Sequence, residues 1–368
     1  MLAKHGFNLF GYATSPLGLG EDLRSFAAML DYLKIPFSVT DLPTDTTGKV
    51  PYHWDSMTTL DYDVSVFFMS PMDCLALSKN HPQVFSDPKT TIGYFLWELP
   101  DFPDEFLPAL KIVDHIWCPT KFVQTAFMAK SKQLTLCIPL PVIQPQCAQF
   151  DFRGHLDIPE DAFAALYMFD MHSTIARKNP QAVVQAFLEF CQNKTDAYLI
   201  LKVGRWQSIV DHNLAWLAPH PQIKLVTEIL IPEHLTDLYR ATDCYVSLHR
   251  SEGFGRTLVE ALQHNLPLVT CAYSGPADFV NPQNAYLVDW ELVDVLPDEY
   301  PNAQSSKWAK PSVEQAAKHL ETIYQKNQSS GKRNFGTSPN PNPNLNLNLF
   351  NVATLAQRYE PILKSYLR

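Results

Sequence analysis

The sequence of 368 residues is short of several things at once. Its seven cysteines are odd in number and no two stand in a C-x-x-C spacing, so neither a disulfide framework nor a zinc ribbon is written into it. Cys118, Cys244 and Cys271 each fall in apolar strand-like runs and read as small buried hydrophobes. Positive charge is in deficit. The net charge of -9 argues against general nucleic-acid binding, which draws its affinity from counterions displaced by lysine and arginine. A small anionic ligand is still allowed, because a local cluster of cations overrides the global sign. No apolar run is long enough to cross a bilayer. The opening MLAKHGFNLFGYATS has neither the apolar core nor the cleavage site of a signal peptide. The expectation is a cytoplasmic protein, compatible with peripheral membrane contact.

What is present is an ordinary globular composition, 46% hydrophobic and 18% charged, at a length that suits two domains. The first half alternates strand and helix. GFNLFGYA, PFSVTDL, DVSVFFMS, TTIGYFLWE, DHIWCPT and LTLCIPLPV read as strands. LGEDLRSFAAMLDYLK, DEFLPALKIV and KFVQTAFMAK read as helices, with apolar residues three and four apart. The Pro-rich stretch PLPVIQPQCAQFDFRGHLDIPED has no period and reads as a linker. Alternation then resumes from AFAALYMFD to AYLVDW. Such alternation specifies parallel sheets covered on both faces. The expected fold class is α/β: a doubly wound, Rossmann-like domain over residues 1–145 and a second over 155–345, facing across a cleft. Near the end, SSGKRNFGTSPNPNPNLNLNLFN reads as a low-complexity loop over 329–350, and 351–368 as a terminal helix packing back on the first domain.

Ligands of open α/β sheets bind beyond the carboxyl ends of the strands. The stretch SEGFGRTLVE, Ser251 to Glu260, lies at such a place, between the strand-like DCYVSLH and the helix-like RTLVEALQH. Gly253 and Gly255, on either side of Phe254, let the backbone turn tightly and approach a ligand. The helix starting near Arg256 points its N–H groups and positive dipole end at that ligand, which suits a phosphate. Yet the segment carries two carboxylates, Glu252 and Glu260, eight positions apart. Ionised carboxylates only accept hydrogen bonds, and hydroxyls are their natural donors. A nucleoside-diphosphate sugar answers both demands: diphosphate to the backbone, sugar hydroxyls to Glu252, ribose hydroxyls to Glu260.

SEGFGRTLVEAL followed by LPLVTCAYSGPADFV, with Ser274-Gly275 as a second loop, resembles the signature of the group 1, family-four retaining glycosyltransferases. The resemblance extends upstream through DLYRATDCYVSLHRSEGFG and more weakly through TIARKNPQAVVQAF. It implies the two-Rossmann-domain GT-B fold, with acceptor bound by the first domain and donor by the second. It also implies an arginine and a lysine holding the donor phosphates. Lys178 matches the lysine; where the arginine would stand the chain reads MFDMHST, and the match fails. Arg177 is a substitute, although adjacency to Lys178 in a helical turn would point it elsewhere. Lys202, at a strand end in LILKVGRW, is another.

In the first domain SPLGLGEDLRSFA places Gly18 and Gly20 between strand and helix; the full G-x-G-x-x-G is absent, since Leu23 stands at its last place. The resemblance brings this loop to the donor phosphates or the acceptor, with Gly20 as the expected contact. Glu98, at the end of YFLWE, either meets sugar hydroxyls or caps a loop, and Trp97 either stacks on a sugar or fills the core. Arg250, beside His249, either adds charge near the ligand or pairs with a structural carboxylate. Lys178 and Glu252 are the expected catalytic pair, and no metal or other cofactor is expected, since no Asp-x-Asp motif follows a strand. The expected partners are a nucleoside-diphosphate sugar and a saccharide or lipid-linked acceptor, whose specificity is assigned to first-domain loops such as Asp41–Trp54. The competing readings are a nucleotide-sugar epimerase on the same scaffold and a non-catalytic relic that binds the donor alone.

Overall fold

The computed structural model describes residues 5–44, 60–171, 173–206, 217, 219–303, 305–330 and 348–367. Most of the Asp41–Trp54 segment and of the low-complexity stretch 329–350 lies outside the described residues. The chain divides into two compact units, Met1–Ile143 with Asn348–Arg368, and Gln144–Leu347.

The first unit runs β1 (Phe7–Gly11), α1 (Gly18–Tyr32), β2 (Phe37–Asp41), β3 (Val64–Phe68), α2 (Pro71–Asn80), α3 (Gln83–Ser86), β4 (Thr90–Tyr94), α4 (Leu107–Leu110), β5 (His115–Cys118), α5 (Lys121–Met128) and β6 (Leu134–Cys137). Its six strands are all parallel, in the order β2-β1-β3-β4-β5-β6. Every residue of β1 and β3 is buried, as continuous apolar strands with both faces covered require. Two polar residues interrupt them and are satisfied: Ser65 accepts from the Asn8 amide at 3.1 Å, and that amide also donates to the Tyr62 carbonyl at 2.8 Å while its oxygen accepts from the Asp61 N–H at 3.0 Å. Helix α2 was not read from the sequence, although Ser70 caps it by accepting from the Asp73 N–H at 3.0 Å and Pro71 opens it.

The second unit runs α6 (Phe152–His155), β7 (Phe163–Asp170), α7 (Ile175–Lys178), α8 (Pro180–Cys191), β8 (Ala197–Gly204), β9 (Ile223–Val226), α9 (Pro232–Arg240), β10 (Cys244–Ser247), α10 (Arg256–Gln263), β11 (Leu268–Thr270), β12 (Tyr286–Leu287), β13 (Trp290–Asp294), β14 (Lys307–Pro311) and α11 (Val313–Ser330). The order of its parallel sheet is β12-β11-β10-β7-β8-β9, and β13 and β14 form a separate antiparallel pair. Neither that pair nor α11 was read from the sequence. Both sheets are therefore doubly wound, the architecture called GT-B. In the second, chain order reverses between β7 and β10, so the loops after these two strands diverge and leave room for a ligand.

Helix α12 (Val352–Ser365) buries Leu355, Ala356 and Leu363 in the core of the first unit, beside Phe26 and Trp117. Asn351 caps it, accepting from the Thr354 N–H at 2.7 Å.

The stretch read as a structureless linker is partly built. Arg153, in α6, is 3% exposed and donates to Asp243 at 2.9 Å and to the carbonyls of Ala162 and Ala241 at 2.7 and 2.9 Å. Asp243 also accepts from the Ala164 N–H at 2.7 Å, tying α6 to the starts of β7 and β10. Removing one member of such a pair strands a buried charge, which costs about 3–5 kcal/mol. Asp243→Ala is expected to lower the unfolding free energy by that amount in urea titrations followed by circular dichroism; a loss below about 1 kcal/mol, the range of an exposed pair, would show that the pair is not a structural anchor.

Candidate active site at the switch point of the second unit

Glu252 is the residue on which three loops converge. It follows β10, is 9% exposed, and holds two cations from the loop after β7. Lys178 Nζ lies 2.5 Å from Oε1 and Arg177 Nη1 lies 3.0 Å from Oε2. Arg177 Nη1 also donates to the Ser251 carbonyl at 3.0 Å, and the Arg250 N–H donates to the Arg177 carbonyl at 2.8 Å. Asn179, in the left-handed region at φ 54°, lets α7 end and α8 begin at once, and its amide donates to the Leu248 carbonyl at 2.8 Å. The third loop follows β11. There Ser274 Oγ accepts from the Glu252 N–H at 2.8 Å, and the Gly275 N–H donates to the Glu252 carbonyl at 2.9 Å.

Burial alone would raise the pKa of Glu252, but Lys178 and then Arg177 outweigh it and hold the carboxyl at about 2. The group is ionised at neutral pH. His249, fully buried beside it, is pushed down to about 4, chiefly by burial, and stays neutral. Its Nδ1 is 3.2 Å from Ser247 Oγ.

Two glycines have a geometric reason. Gly255 sits at φ 90°, left-handed, where the chain turns into α10. A Cβ on Gly275 would lie 2.3 Å from the Gly253 carbonyl oxygen, so that loop approaches the motif more closely than any side chain permits.

The remaining candidates fall in different places. Phe254 is buried, its ring 5.8 Å from Phe279, so only its backbone suits a ligand. Glu260 is half-buried in α10 and accepts from the Tyr239 hydroxyl at 2.7 Å. Lys202 is half-buried near the carboxyl end of β8, its pKa lowered by burial. Arg177 corrects the expectation: the short α7 does not turn it away from Lys178, because both side chains reach the same carboxylate. At 5% exposure the guanidinium serves Glu252 and the Ser251 carbonyl rather than solvent. Arg250 takes its structural alternative, with Glu299 at 3.1 Å and the Trp308 ring at 5.3 Å.

In the first unit, Gly20 is covered: a Cβ there would lie 2.5 Å from the Tyr12 carbonyl and 2.6 Å from that of Ser15. Its glycine is explained by helix packing on its own loop, whereas Gly18 is exposed, with nothing within 4 Å. Trp97 fills the core, donating to the Asp101 carbonyl at 2.8 Å and meeting Phe102 edge-on at 5.0 Å. Glu98 beside it is half-buried. A cavity of about 410 Å³ lined by Cys147, Phe150, Arg153 and Arg240 shares no residue with the Glu252 cluster. Among the described residues no helix is long and apolar enough to cross a membrane.

Residues 155–298 match the sequence model of the family described as "Glycosyl transferases group 1". The second unit carries a group 1 glycosyl transferase domain. No curated protein matches the chain by sequence. Among solved structures it resembles Alr3699/HepE from Anabaena, solved with UDP and glucose, at 16% identity and TM-score 0.64, covering 98% of this chain and 100% of that one. Sucrose-phosphate synthase from Thermosynechococcus elongatus aligns at 15% identity and TM-score 0.68, covering 98% of each chain. WaaG, a glycosyltransferase involved in lipopolysaccharide biosynthesis, aligns at 14% and 0.59, covering 97% and 99%. At such identities the likeness is one of fold, and it extends over both units.

Two outcomes test the geometry of this glycosyl transferase domain. Gly275→Ala is expected to cost about 1–3 kcal/mol of stability by overpacking against backbone, while Gly18→Ala is neutral or slightly favourable; equal effects would contradict the close approach. The folded carboxyl of Glu252 lies below its ordinary value of 4.5, so its pairing contributes fully above that pH and fades as pH falls toward about 2. The stability gap between wild type and Glu252→Gln should therefore narrow between pH 7 and pH 3; a constant gap would show the ion pair to be energetically silent.

Proposed function

We propose that this protein is a glycosyltransferase that moves a sugar from a nucleoside-diphosphate sugar to an acceptor hydroxyl with retention of the anomeric configuration. The observation that carries the reading is Glu252, ionised, buried and braced by two cations at the switch point of the donor-type sheet. Such a carboxylate is pre-aimed for sugar hydroxyls, because its position is fixed before any ligand arrives. The UDP and glucose named for the similar HepE structure support a donor of this class.

In this reading Lys178 and the Gly253–Gly255 backbone face the leaving diphosphate, and the start of α10 adds its dipole. Lys178 shares its charge between Glu252 and the phosphates, so the sugar and the leaving group are held by one connected unit. Arg177 keeps Glu252 ionised and in place. Glu260 accepts from the ribose hydroxyls, and Lys202 supplies further positive charge at the neighbouring strand end. The acceptor oxygen attacks C1 on the face from which the diphosphate leaves. The bond from C1 to the phosphate oxygen breaks as the new glycosidic bond forms, and the acceptor's proton ends on the departing diphosphate. Stabilisation of that growing charge by Lys178 needs no metal ion. The acceptor is a saccharide or lipid-linked acceptor in glycan assembly, reached from the cytoplasm with peripheral membrane contact, and Glu98 of the first unit belongs to its side.

UDP, GDP, ADP and their sugars should be screened by thermal shift, and any stabilising donor then followed with sugar acceptors by NMR of the anomeric proton. One base is expected to raise the melting temperature, and the product to keep the donor's anomeric form. Lys178→Ala should lower kcat by about 100-fold or more, the scale on which a charge-stabilising donor is lost. No shift with any nucleotide would remove the donor site; binding without turnover or hydrolysis would favour the non-catalytic reading.

A further inference from the structure

Glu260 is held from behind by a residue outside the motif. Tyr239, in the last turn of α9, sets its hydroxyl 2.7 Å from Glu260 Oε2 and 3.2 Å from the Thr257 carbonyl. Its ring is 1% exposed and stacks on His264 at 4.8 Å and 18°. One tyrosine thus touches the first turn of α10, the carboxylate in its middle and the residue that ends it. Burial, and then the Glu260 carboxylate, push the phenol well above its ordinary pKa, so it stays a donor. Burial and then Arg240 bring His264 down to about 4, so the stack is between neutral rings at pH 7.

The geometry has a consequence for a ligand. A glutamate on a helix surface samples several rotamers, and a half-buried one must be ordered before it can grip two hydroxyls at once. A hydrogen bond to Oε2 from a ring that cannot move fixes the carboxylate plane. An ionised carboxylate has about four acceptor positions, and the Tyr239 hydroxyl takes up only one of them. We infer that Tyr239 is the positioning residue that orients Glu260 toward the ribose diol of the donor, and that it sets a preference for ribonucleotides over 2′-deoxyribonucleotides. This rests on the donor-site reading above.

The test is a ratio. Affinities of UDP, GDP and ADP and of their 2′-deoxy counterparts are measured by calorimetry for wild type, Tyr239→Phe and Glu260→Ala. The phenylalanine keeps the ring and its stack and removes only the hydroxyl. Wild type should prefer the ribonucleotide that binds by about tenfold, and Tyr239→Phe should lose most of that preference while its affinity for the deoxy form changes little. A merely structural role would weaken both forms alike. Full selectivity in Tyr239→Phe alongside lost selectivity in Glu260→Ala would overturn the positioning role and leave the donor site intact. Wild type that binds without ribose preference would overturn the assignment of Glu260 itself. Absence of binding by all three diphosphates would remove the donor-site reading and this inference with it. Should Tyr239→Phe fail to fold, a crystal structure of wild type with the bound ribonucleotide decides instead: the Tyr239 hydroxyl and a ribose hydroxyl both on the Glu260 carboxylate are expected, and a carboxylate that has left Tyr239 to meet the ribose would overturn the proposal.

Discussion

The contact between Glu252 and the cations of α7 is what the second unit is arranged around. Lys178 and Arg177 come from the loop after β7, Glu252 from the loop after β10, and the two strands are neighbours only because the sheet reverses its order between them. Ser274 and Gly275 then fix the main chain of Glu252 from the loop after β11. A buried carboxylate without these partners would protonate or be expelled. With them it stays charged, and its position is set by the fold rather than by a ligand.

This bracing also explains how negative side chains can stand in a loop suited to phosphate. The carboxylates are neutralised or restrained by protein before the ligand enters, Glu252 by two cations and Glu260 by a phenol. In the proposed reading the acceptor capacity of these carboxylates meets hydroxyls, beside glycine backbone and a helix start that favour anions. The ligand would then be divided along one short segment, a hydroxyl-rich group at each end and a charged group between.

Much of the architecture was legible because short apolar runs such as FNLFG and AALYMFD, in alternation with helical segments, favour buried strands, and the 3.6-residue period of α1 and α8 favours helices. The elements that escaped have weaker periods. α2 has little apolar bias, and its cap signal at Ser70-Pro71 was the better cue. β13 exposes Trp290 and Leu292 and alternates with no core face that sequence could reveal. Local spacing also led to Gly253, Gly255 and the two glutamates. It could not foresee that Arg177 and Lys178, consecutive in the chain, both reach Glu252, because that contact spans about 75 positions and depends on sheet order. Likewise it favoured Gly20 over Gly18, when the demand at Gly20 is packing against the carbonyls of Tyr12 and Ser15. Tyr239 carries no local signal; its place is defined only by α9 lying against α10.

A crystal structure with a bound nucleoside diphosphate tests the proposed site directly. The diphosphate is expected within hydrogen-bond reach of Lys178 Nζ and the Gly253–Gly255 backbone, with the ribose hydroxyls on Glu260. Density for the diphosphate elsewhere, for instance in the cavity between Phe150 and Arg240, with the Glu252 cluster unchanged, would contradict it.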